Sequence, residues 1–301
     1  MTADISIIIV TYNSGRFIAK CLDSLLAHGP RAHSARIVVV DNASSDRTVE
    51  IVRRGYPQVE LVESGGNLGF GRGNNLGMAH APARYYYLHN ADAYLQENVL
   101  DAAIAHLDAH PRIGIAGLPL VYPDLSPQTA AYGRSTPLKW TLQELGVGRI
   151  AKAIATGPRL GPLRAVLSRL PVARSYLASH AEGDAPRIVE DPDWVCGAAL
   201  ILREAVRTDL DGGFDPAIFL YGEDEDICLM ARRKGWTIAQ LDVTPVIHEL
   251  GWGTDDRPSP TVARLKADSL RVFIDKHFAR PGPSWAVMRA ILWLRRRRWG
   301  V

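Results

Sequence analysis

Cysteine is scarce in this chain, and the few cysteines present do not form a recognisable set. Only Cys21, Cys196 and Cys228 occur among 301 residues, far apart and each among apolar neighbours. An odd number at such spacing argues against a disulfide framework and against a zinc site. A reducing, cytoplasmic environment is therefore the expectation.

Long apolar runs are also absent. No stretch approaches the roughly 20 apolar residues that a membrane-spanning helix needs. The N-terminus lacks a basic region followed by a signal-type apolar stretch, and a strand pattern begins at once over residues 5–10. With 47% hydrophobic and 22% charged residues, the composition is that of an ordinary globular protein large enough for a sizeable core.

Two well-known phosphate-binding motifs are missing. The segment GGNLGFGRGNNLG, residues 65–77, is rich in glycine, but it lacks the G-x-G-x-x-G spacing and the Gly-Lys-Ser/Thr ending of a phosphate loop. A nicotinamide dehydrogenase and an ATPase are therefore disfavoured. We predict a flexible turn here, whose backbone approaches a ligand closely while Arg72 contacts a phosphate or a base.

The small positive net charge of +3 is unevenly distributed. The last segment, PSWAVMRAILWLRRRRWGV, interleaves Arg289 and Arg295–Arg298 with tryptophan and leucine. Two interpretations stay open: a helix lying peripherally on the inner face of the cell membrane, and a helix docked on the protein body with a solvated basic end. Nucleic acid is disfavoured, because the basic charge is local and no nucleic-acid-binding motif accompanies it.

Apolar strand patterns alternate with helical patterns over the first hundred residues. The strands are ISIIIVTYN, ARIVVVDNASSD, VELVES and RYYYLHNAD, and helices are predicted from Arg16 and from Thr48. This alternation predicts a mostly parallel sheet with helices on both faces. The polar residues that follow these strands, expected along one edge of the sheet, are Thr11, Tyr12, Asn13, Asp41, Asn42, Ser44, Asn90 and Asp92. For Asn42, Ser44 and Ser45, helix capping is the favoured role.

The most informative stretch is residues 193–236, where an apolar strand pattern leads to four contiguous acids, Glu223–Asp226, that open a helical pattern. We expect an acid where the strand ends, since open α/β sheets carry out chemistry beyond their strand ends. Acids in a first helical turn also complement the helix dipole. Four together repel one another and raise at least one pKa, which favours a functional site.

These blocks, in this order, resemble family 2 inverting glycosyltransferases, most closely the bacterial rhamnosyltransferase-like branch. The matching segments are VTYN, DNASSD, NLGFGRGNNLG, HNAD, WVCGAALILR, GGFDPAIFLYGEDEDICL, RKGW and the late His248. The resemblance covers most of Ile5–Trp252, with a gap in the middle. It implies a GT-A fold with a Rossmann-like nucleotide-binding half. It also implies a nucleoside diphosphate sugar across the strand ends and a bridging Mg²⁺ or Mn²⁺.

The resemblance also implies roles for single residues. Asp224 matches the general base that takes a proton from the acceptor hydroxyl, and Glu223 is expected to orient the acceptor or the base. Asp92 matches the last acid of the family's DXD-type motif and is the expected metal ligand, with His248 as a second ligand or a structural residue. Because the motif reads Asn90-Ala91-Asp92, only one carboxylate remains, and metal dependence is left open.

The remaining expected contacts divide between donor and acceptor. Donor-binding residues are Thr11, Tyr12, Asn13, Asp41, Asn67, Arg72, Asn75, Asn90, Ala91 and Asp92, with Asp41 holding the pyrimidine base. Acceptor-binding residues are Trp194, Gly197 and Trp252, and core packing of either tryptophan is the open alternative.

We therefore expect a GT-A catalytic domain over residues 1–255, with a helical insertion over about 134–190, and a C-terminal helical segment over 256–301. The expected activity is inverting transfer of a sugar, rhamnose favoured, to a glycan or lipid-linked saccharide in cell-surface polysaccharide synthesis. Alternatives are a UDP-hexose or UDP-HexNAc transferase and a non-catalytic nucleotide-sugar or membrane-binding module with a degenerate metal site. A nucleotidyltransferase is disfavoured, because TYNSGRF makes a poor triphosphate loop.

Overall fold

The structure, a computed structural model, describes residues 2–145, 154, 161–167, 169, 188–250 and 259–301. The helices are α1 Ile18–His28, α2 Thr48–Gly55, α3 Gly69–His80, α4 Leu100–Ala109, α5 Pro137–Glu144, α6 Gly161–Leu167, α7 Glu204–Asp209, α8 Glu223–Arg233, α9 Pro260–His277 and α10 Pro283–Trp299. The strands are β1 Ala3–Thr11, β2 Ala35–Asp41, β3 Glu60–Glu63, β4 Ala83–His89, β5 Ala93–Tyr94, β6 Ile113–Gly117, β7 Leu120–Val121, β8 Pro127–Gln128, β9 Ala131–Tyr132, β10 Trp194–Val195, β11 Ala199–Arg203, β12 Thr237–Gln240 and β13 Val246–His248.

A seven-stranded sheet in the order β12-β6-β11-β4-β1-β2-β3 forms the centre of the molecule. Strand β1 runs parallel to β2 and β4, β2 to β3 and β12 to β6, whereas β11 runs antiparallel between β4 and β6. The predicted mostly parallel sheet is therefore confirmed. Thr11 pairs with Asp41 across β1 and β2, so these polar strand ends share one edge.

Alternate residues of β1 are buried on opposite faces of the sheet. Ile7 and Ile9 belong to the apolar cluster that contains Leu22 of α1, whereas Ile8 belongs to the cluster that contains Met78 of α3. Because successive side chains of a strand point to opposite faces, a central strand covered on both sides reads as a continuous apolar run. This explains the sequence ISIIIV.

The glycine-rich segment is helical for most of its length, so its prediction as a flexible turn was wrong. Helix α3 begins at Gly69 and packs against β1. A Cβ on Gly77 would lie 2.5 Å from Cγ2 of Ile8, and one on Gly73 would lie 2.8 Å from Cγ1 of Val10. These glycines therefore let a helix approach the sheet closely, rather than keep the chain flexible.

The strand that precedes the acids does not end at them, and this part of the prediction was also wrong. Ala199 of β11 pairs with His89 at the end of β4, so β11 starts at the polar edge and runs away from it. The chain returns through α7 and a loop to α8, which begins at Glu223. The acids therefore lie at the N-terminus of a helix instead of at a strand end.

The last two helices and α5 form a third apolar cluster. Trp140 of α5 packs with Leu270 of α9 and with Met288 and Leu292 of α10. The C-terminal segment is thus helical, as predicted. The predicted domain boundary at residue 255 lies outside the described residues. Most of the predicted helical insertion over about 134–190 also lies outside them. No helix in the described ranges is both long and apolar enough to cross a bilayer.

Candidate active site

The start of β11 joins two acids that are far apart in sequence. The backbone N–H of Gly197 donates to Oδ2 of Asp224 at 3.4 Å. The carbonyl of the next residue, Ala198, accepts the backbone N–H of Asn90 at 3.0 Å. Asn90 stands two residues before Asp92, so one short piece of backbone connects the loop that carries Asp92 to the side chain of Asp224.

The thiol of Cys196 lies within electrostatic range of both acids. Burial raises the pKa of Cys196 to about 12, and the negative charges of Asp224 and Asp92 add to this rise. Charges influence a thiol in this way only when they are near it. This agrees with the backbone link through Gly197 and Ala198, which also connects Asp224 to the loop of Asp92.

Asp224 occupies the first turn of α8, after Gly222 in the left-handed conformation at φ 95°. Its Oδ1 accepts the backbone N–H of Glu225 at 2.9 Å, and its side chain is half-buried. Burial raises the pKa of Asp224, whereas the N–H groups of Glu225 and Gly197 lower it. A carboxylate with a raised pKa and access to solvent has the properties of a general base.

Glu223 is more deeply buried than its neighbour. Glu223 is 7% exposed, and its Oε2 atom has no hydrogen-bond partner among the described residues. Burial, with a further contribution from the charge of Asp224, raises the pKa of Glu223 to about 8. At neutral pH, Glu223 therefore holds a proton, whereas the N–H groups of Glu225 and Gly197 favour the ionised form of Asp224.

The other two acids of the block anchor α8 to its surroundings. Glu225 accepts hydrogen bonds from the backbone N–H and the hydroxyl of Ser135, both at 2.7 Å. Asp226 lies 2.9 Å from Nζ of Lys276 and 2.6 Å from Nε2 of His277, both in α9. The four contiguous acids thus divide into two that bind side chains of other elements, Glu225 and Asp226, and two that do not, Glu223 and Asp224.

The ends of β1 and β2 form a second part of the polar edge. Asp41 is 2% exposed and accepts hydrogen bonds from the hydroxyl of Thr11 at 3.1 Å and the backbone N–H of Ser44 at 2.9 Å. Tyr12, beside them, is 47% exposed. A fixed carboxylate next to an exposed aromatic ring suits a planar base that is bound by both a hydrogen bond and stacking.

The residues expected to cap α2 do something else, so that prediction was wrong. The side-chain oxygen of Asn13 accepts the backbone N–H of Ser45 at 2.8 Å, and the backbone N–H of Asn13 donates to the hydroxyl of Ser44 at 2.9 Å. Asn42 donates to the carbonyl of Gly69 at 3.0 Å. These contacts tie the loop after β1 to the loop after β2 and to the start of α3, so they fix the shape of the edge.

The remaining expected donor residues differ in how much of their side chain is available. Arg72 is exposed on α3. Asn67 accepts the backbone N–H of Gly69 at 3.0 Å, and Asn75 bonds both backbone polar groups of Phe214, at 2.8 and 2.9 Å. The last two side chains are therefore engaged in holding backbone.

Asp92 and His248 lie close enough to share a cation. Nε2 of His248 is 3.4 Å from Oδ1 of Asp92 and 3.3 Å from the amide nitrogen of Asn90, while Nδ1 contacts Oε1 of Gln128 at 2.8 Å. Two donors that bind one ion at about 2.1 Å each are roughly 3 Å apart. The described residues contain no cluster of three or more metal-ligating side chains. The pair therefore fits an ion whose remaining ligands come from a substrate and from water.

On the expected acceptor side, Trp194 stacks on Tyr132, with ring centroids 4.1 Å apart and planes at 14°. Its indole Nε1 is buried without a hydrogen-bond partner among the described residues. A Cβ on Gly197 would lie 3.1 Å from the ring of Phe70. Trp252, also expected here, lies outside the described residues. Tyr132 was not singled out from the sequence, since no motif marks it.

One family model matches the first half of the chain, and the curated relatives are named as glycosyltransferases. The sequence model described as "Glycosyl transferase family 2" matches residues 6–161. N-acetylglucosaminyl-diphospho-decaprenol L-rhamnosyltransferase of Mycobacterium tuberculosis is 25% identical over 288 residues, which cover 92% of this chain and 86% of that protein. Poly(ribitol-phosphate) beta-N-acetylglucosaminyltransferase TarS of Staphylococcus aureus is 30% identical over 111 residues, which cover 35% of this chain and 19% of that protein.

Two solved structures share the architecture. The mannosyltransferase PcManGT from Pyrobaculum calidifontis, in complex with GDP-Man and Mn²⁺, aligns with a TM-score of 0.57 at 19% identity, covering 97% of this chain and 69% of that one. The S. aureus TarS structure in complex with UDP-GlcNAc aligns with a TM-score of 0.56 at 16% identity, covering 99% and 73%.

Proposed function

The chain belongs to glycosyl transferase family 2 and has a GT-A fold, and from this premise we propose that it transfers a sugar with inversion from a nucleoside diphosphate sugar to a saccharide acceptor. The observation that carries the proposal is the contact of Asp224 with Gly197, one residue from the carbonyl that holds Asn90. It brings a half-buried carboxylate into reach of the loop assigned to the diphosphate.

In the proposed reaction Asp224 accepts the proton of an acceptor hydroxyl. The acceptor oxygen forms a bond to the anomeric carbon, while the bond from that carbon to the diphosphate oxygen breaks on the opposite face. Glu223, which holds its proton at neutral pH, has a buried oxygen without a partner. That oxygen is closed to solvent, so Glu223 is proposed to orient the neighbouring base Asp224 rather than to contact the acceptor.

The donor is proposed to lie along the edge formed by β1, β2 and β4. The base stacks on Tyr12 and is held by Asp41, whose orientation is fixed by Thr11. Asn13 shapes this loop, and exposed Arg72 approaches the base or a phosphate. Asn67 and Asn75 contribute through the backbone that they hold. Asn90, Ala91 and Asp92 face the diphosphate.

A divalent cation, Mg²⁺ or Mn²⁺, would be held by Asp92 and His248 together with the diphosphate. Its contribution would be to neutralise charge on the leaving group. Hard oxygen ligands and one imidazole suit either ion. With a single carboxylate in the pair, the affinity of the protein alone for the ion should be low.

Rhamnose is the proposed sugar, and a lipid-linked saccharide is the proposed acceptor. The support is the M. tuberculosis protein, whose name specifies an L-rhamnosyl group and an N-acetylglucosaminyl-diphospho-decaprenol acceptor and whose likeness extends over 92% of this chain. Transfer of an N-acetylhexosamine from a UDP-sugar is the second candidate. It is favoured by the higher identity to TarS, 30% over 111 residues.

A donor panel separates these candidates. The protein would be incubated with dTDP-rhamnose, UDP-GlcNAc or GDP-mannose, with Mg²⁺, Mn²⁺ or a chelator, and both the thermal midpoint and the release of nucleoside diphosphate would be measured. We expect one donor to raise the midpoint, because a ligand of the native state stabilises it by mass action. The same donor should be turned over. Binding without any turnover, with acceptor present, would support a non-catalytic binding module instead.

A further inference from the structure

The outer face of α10 is apolar, although it faces solvent. Val287 is 42% exposed, and Trp293 and Leu294 are each 50% exposed. Ala286 and Ala290, also exposed, stand one helical turn from these residues on the same side. A surface helix usually turns its polar side to water. Here about two and a half turns of apolar surface, from Ala286 to Leu294, face water instead.

Over most of α10 the arginines lie on the side that contacts the neighbouring helices, and not on the apolar outer face. Arg295 pairs with Glu144 of α5 at 2.7 Å, and Arg296 lies 3.5 Å from Asp268 of α9. These ion pairs are made with neighbouring helices. Towards the C-terminal end of the exposed face, Arg297 and Arg298 face solvent, and Arg298 also lies 3.7 Å from Glu144. Arg297 lies over the ring of Trp293, 3.8 Å from its centroid.

Charge indicates what covers this face. Residues 259–301 contain ten lysines and arginines but only two acids, whereas the rest of the chain contains 25 basic and 30 acidic residues. A second copy that docked on the same face would bring two strongly positive segments together, which is unfavourable. An anionic lipid surface complements the charge, and tryptophan and leucine suit the boundary between headgroups and acyl chains.

Helix α9 connects this face to the acids of the candidate site. On one side α9 packs against α10 through Leu270 and Ile274. On the other side, the hydroxyl of Ser269 accepts the backbone N–H of Phe219 at 3.1 Å, and Lys276 pairs with Asp226 of α8. The helix that carries Asp224 is therefore linked to α10 through buried contacts.

We infer that the exposed face of α10, formed by Ala286, Val287, Ala290, Trp293, Leu294 and the ends of Arg297 and Arg298, binds an anionic membrane surface. Trp293 and Leu294 enter the headgroup region, and the two arginines contact lipid phosphates. The inference rests on the proposed function in one respect: membrane binding would bring the candidate active site to an acceptor carried on a lipid. The binding itself requires neither donor nor acceptor.

Sedimentation of the full chain with vesicles tests this directly. The vesicles are pure phosphatidylcholine or phosphatidylcholine with phosphatidylglycerol, and no sugar nucleotide is added. We expect binding to the anionic vesicles only, and weaker binding as salt shortens the roughly 10 Å range of electrostatic attraction at 0.1 M. The variant W293S/L294S should bind about tenfold more weakly or worse, because the apolar contact is lost. The variant R297Q/R298Q should lose most of the preference for anionic lipid.

Matched controls are available elsewhere on the surface. Leu26→Ser changes a leucine of α1 that is 42% exposed, and R53Q/R54Q removes two adjacent arginines from the last turn of α2. Both controls should bind as the unaltered chain does. Absence of binding to anionic vesicles, or equal binding by W293S/L294S, would overturn the inference. A dimer in solution that W293S/L294S dissociates, without vesicle binding, would assign the face to a second copy.

The catalytic proposal and the membrane proposal can be tested independently of each other. Release of nucleoside diphosphate from donor in the absence of vesicles reports on the catalytic proposal alone. Vesicle binding without donor reports on the membrane proposal alone. If the chain hydrolyses the donor but does not bind vesicles, the catalytic proposal stands and the membrane proposal is wrong.

Discussion

Nε2 of His248 lies 3.4 Å from Oδ1 of Asp92, although 155 residues separate the two in sequence. Strand β13 makes this contact by pairing with β5, which follows Asp92 directly. Nδ1 of His248 faces the amide oxygen of Gln128. When that nitrogen carries the proton, Nε2 keeps its lone pair, which is the state that binds a metal.

We predict that Asp92→Asn weakens the binding of the nucleoside diphosphate in Mn²⁺ by about tenfold or more, because a carboxylate ligand becomes a neutral amide. Titration calorimetry with and without chelator measures this. If Asp92 and His248 bind the same ion, adding H248Q to D92N should lower the affinity for the nucleoside diphosphate little further than D92N alone does. Asp124→Asn, an exposed acid in a turn, is the control. Equal Mn²⁺ response in D92N and the unaltered chain would exclude Asp92 as a ligand.

Glu223 makes the stability of the protein depend on pH. Its pKa is about 8 in the fold and about 4.3 in an unfolded chain, so the folded state binds the proton more tightly. The contribution of this tighter proton binding to the free energy of unfolding is fully present below about pH 4.3 and is lost as pH rises through about 8. Glu223→Gln removes this loss.

The E223Q variant should therefore gain in free energy of unfolding relative to the unaltered chain as pH rises, by on the order of a few kcal/mol above pH ~8. Urea denaturation across this pH range measures the difference. A constant difference at all pH values would show that the fold does not raise the pKa of Glu223.

Asp226 should matter for stability rather than for chemistry. It is 2% exposed and contacts both Lys276 and His277. Asp226→Asn removes the buried carboxylate that both side chains contact, although Lys276 keeps Asp215 at 2.7 Å, and it should cost about 3 kcal/mol of unfolding free energy. Glu50→Gln, which breaks the exposed pair with Arg54, should cost less than about 1 kcal/mol. Comparable losses in the two variants would contradict the anchoring role.

The glycines of α3 give a test of the packing between helix and sheet. Gly77→Ala places a Cβ 2.5 Å from Ile8 and 3.0 Å from Val40. Overpacking of this kind costs about 1–3 kcal/mol, more than the roughly 1 kcal/mol that alanine gains in a helix. Gly55→Ala, where a Cβ meets nothing within 4 Å, is the control and should be neutral or stabilising. A G77A variant as stable as G55A would show that α3 does not approach the sheet so closely.

The sequence predicted most of the sheet and the polar edge, because strands buried on both faces leave a continuous apolar pattern and polar residues stop it. It misjudged residues 65–77, since six glycines suggest flexibility unless the closeness of Ile8 and Val10 is known. It also placed the acids at the end of the apolar strand β11, which in fact runs antiparallel to its neighbours and away from the polar edge. An apolar strand has the same composition whether it runs parallel or antiparallel to its neighbours.

The sequence also could not predict which acids of Glu223–Asp226 anchor α8 and which do not. Which of the four acids is anchored depends on how α8 is rotated about its axis. That rotation is set by partners far away in the chain, Ser135 for Glu225 and Lys276 with His277 for Asp226. Neither Ser135 nor Lys276 belongs to a motif. Tyr132, which stacks on Trp194, carries no sequence signal either.

The most direct test of the account is the turnover of Asp224→Asn with the donor identified by the panel. We predict a fall in kcat of about a hundredfold or more, the scale of lost general-base catalysis, with donor affinity unchanged. Glu225→Gln, in the same helical turn but bonded to Ser135 in the unaltered chain, should retain turnover. A D224N variant that transfers sugar at the unaltered rate would contradict the account.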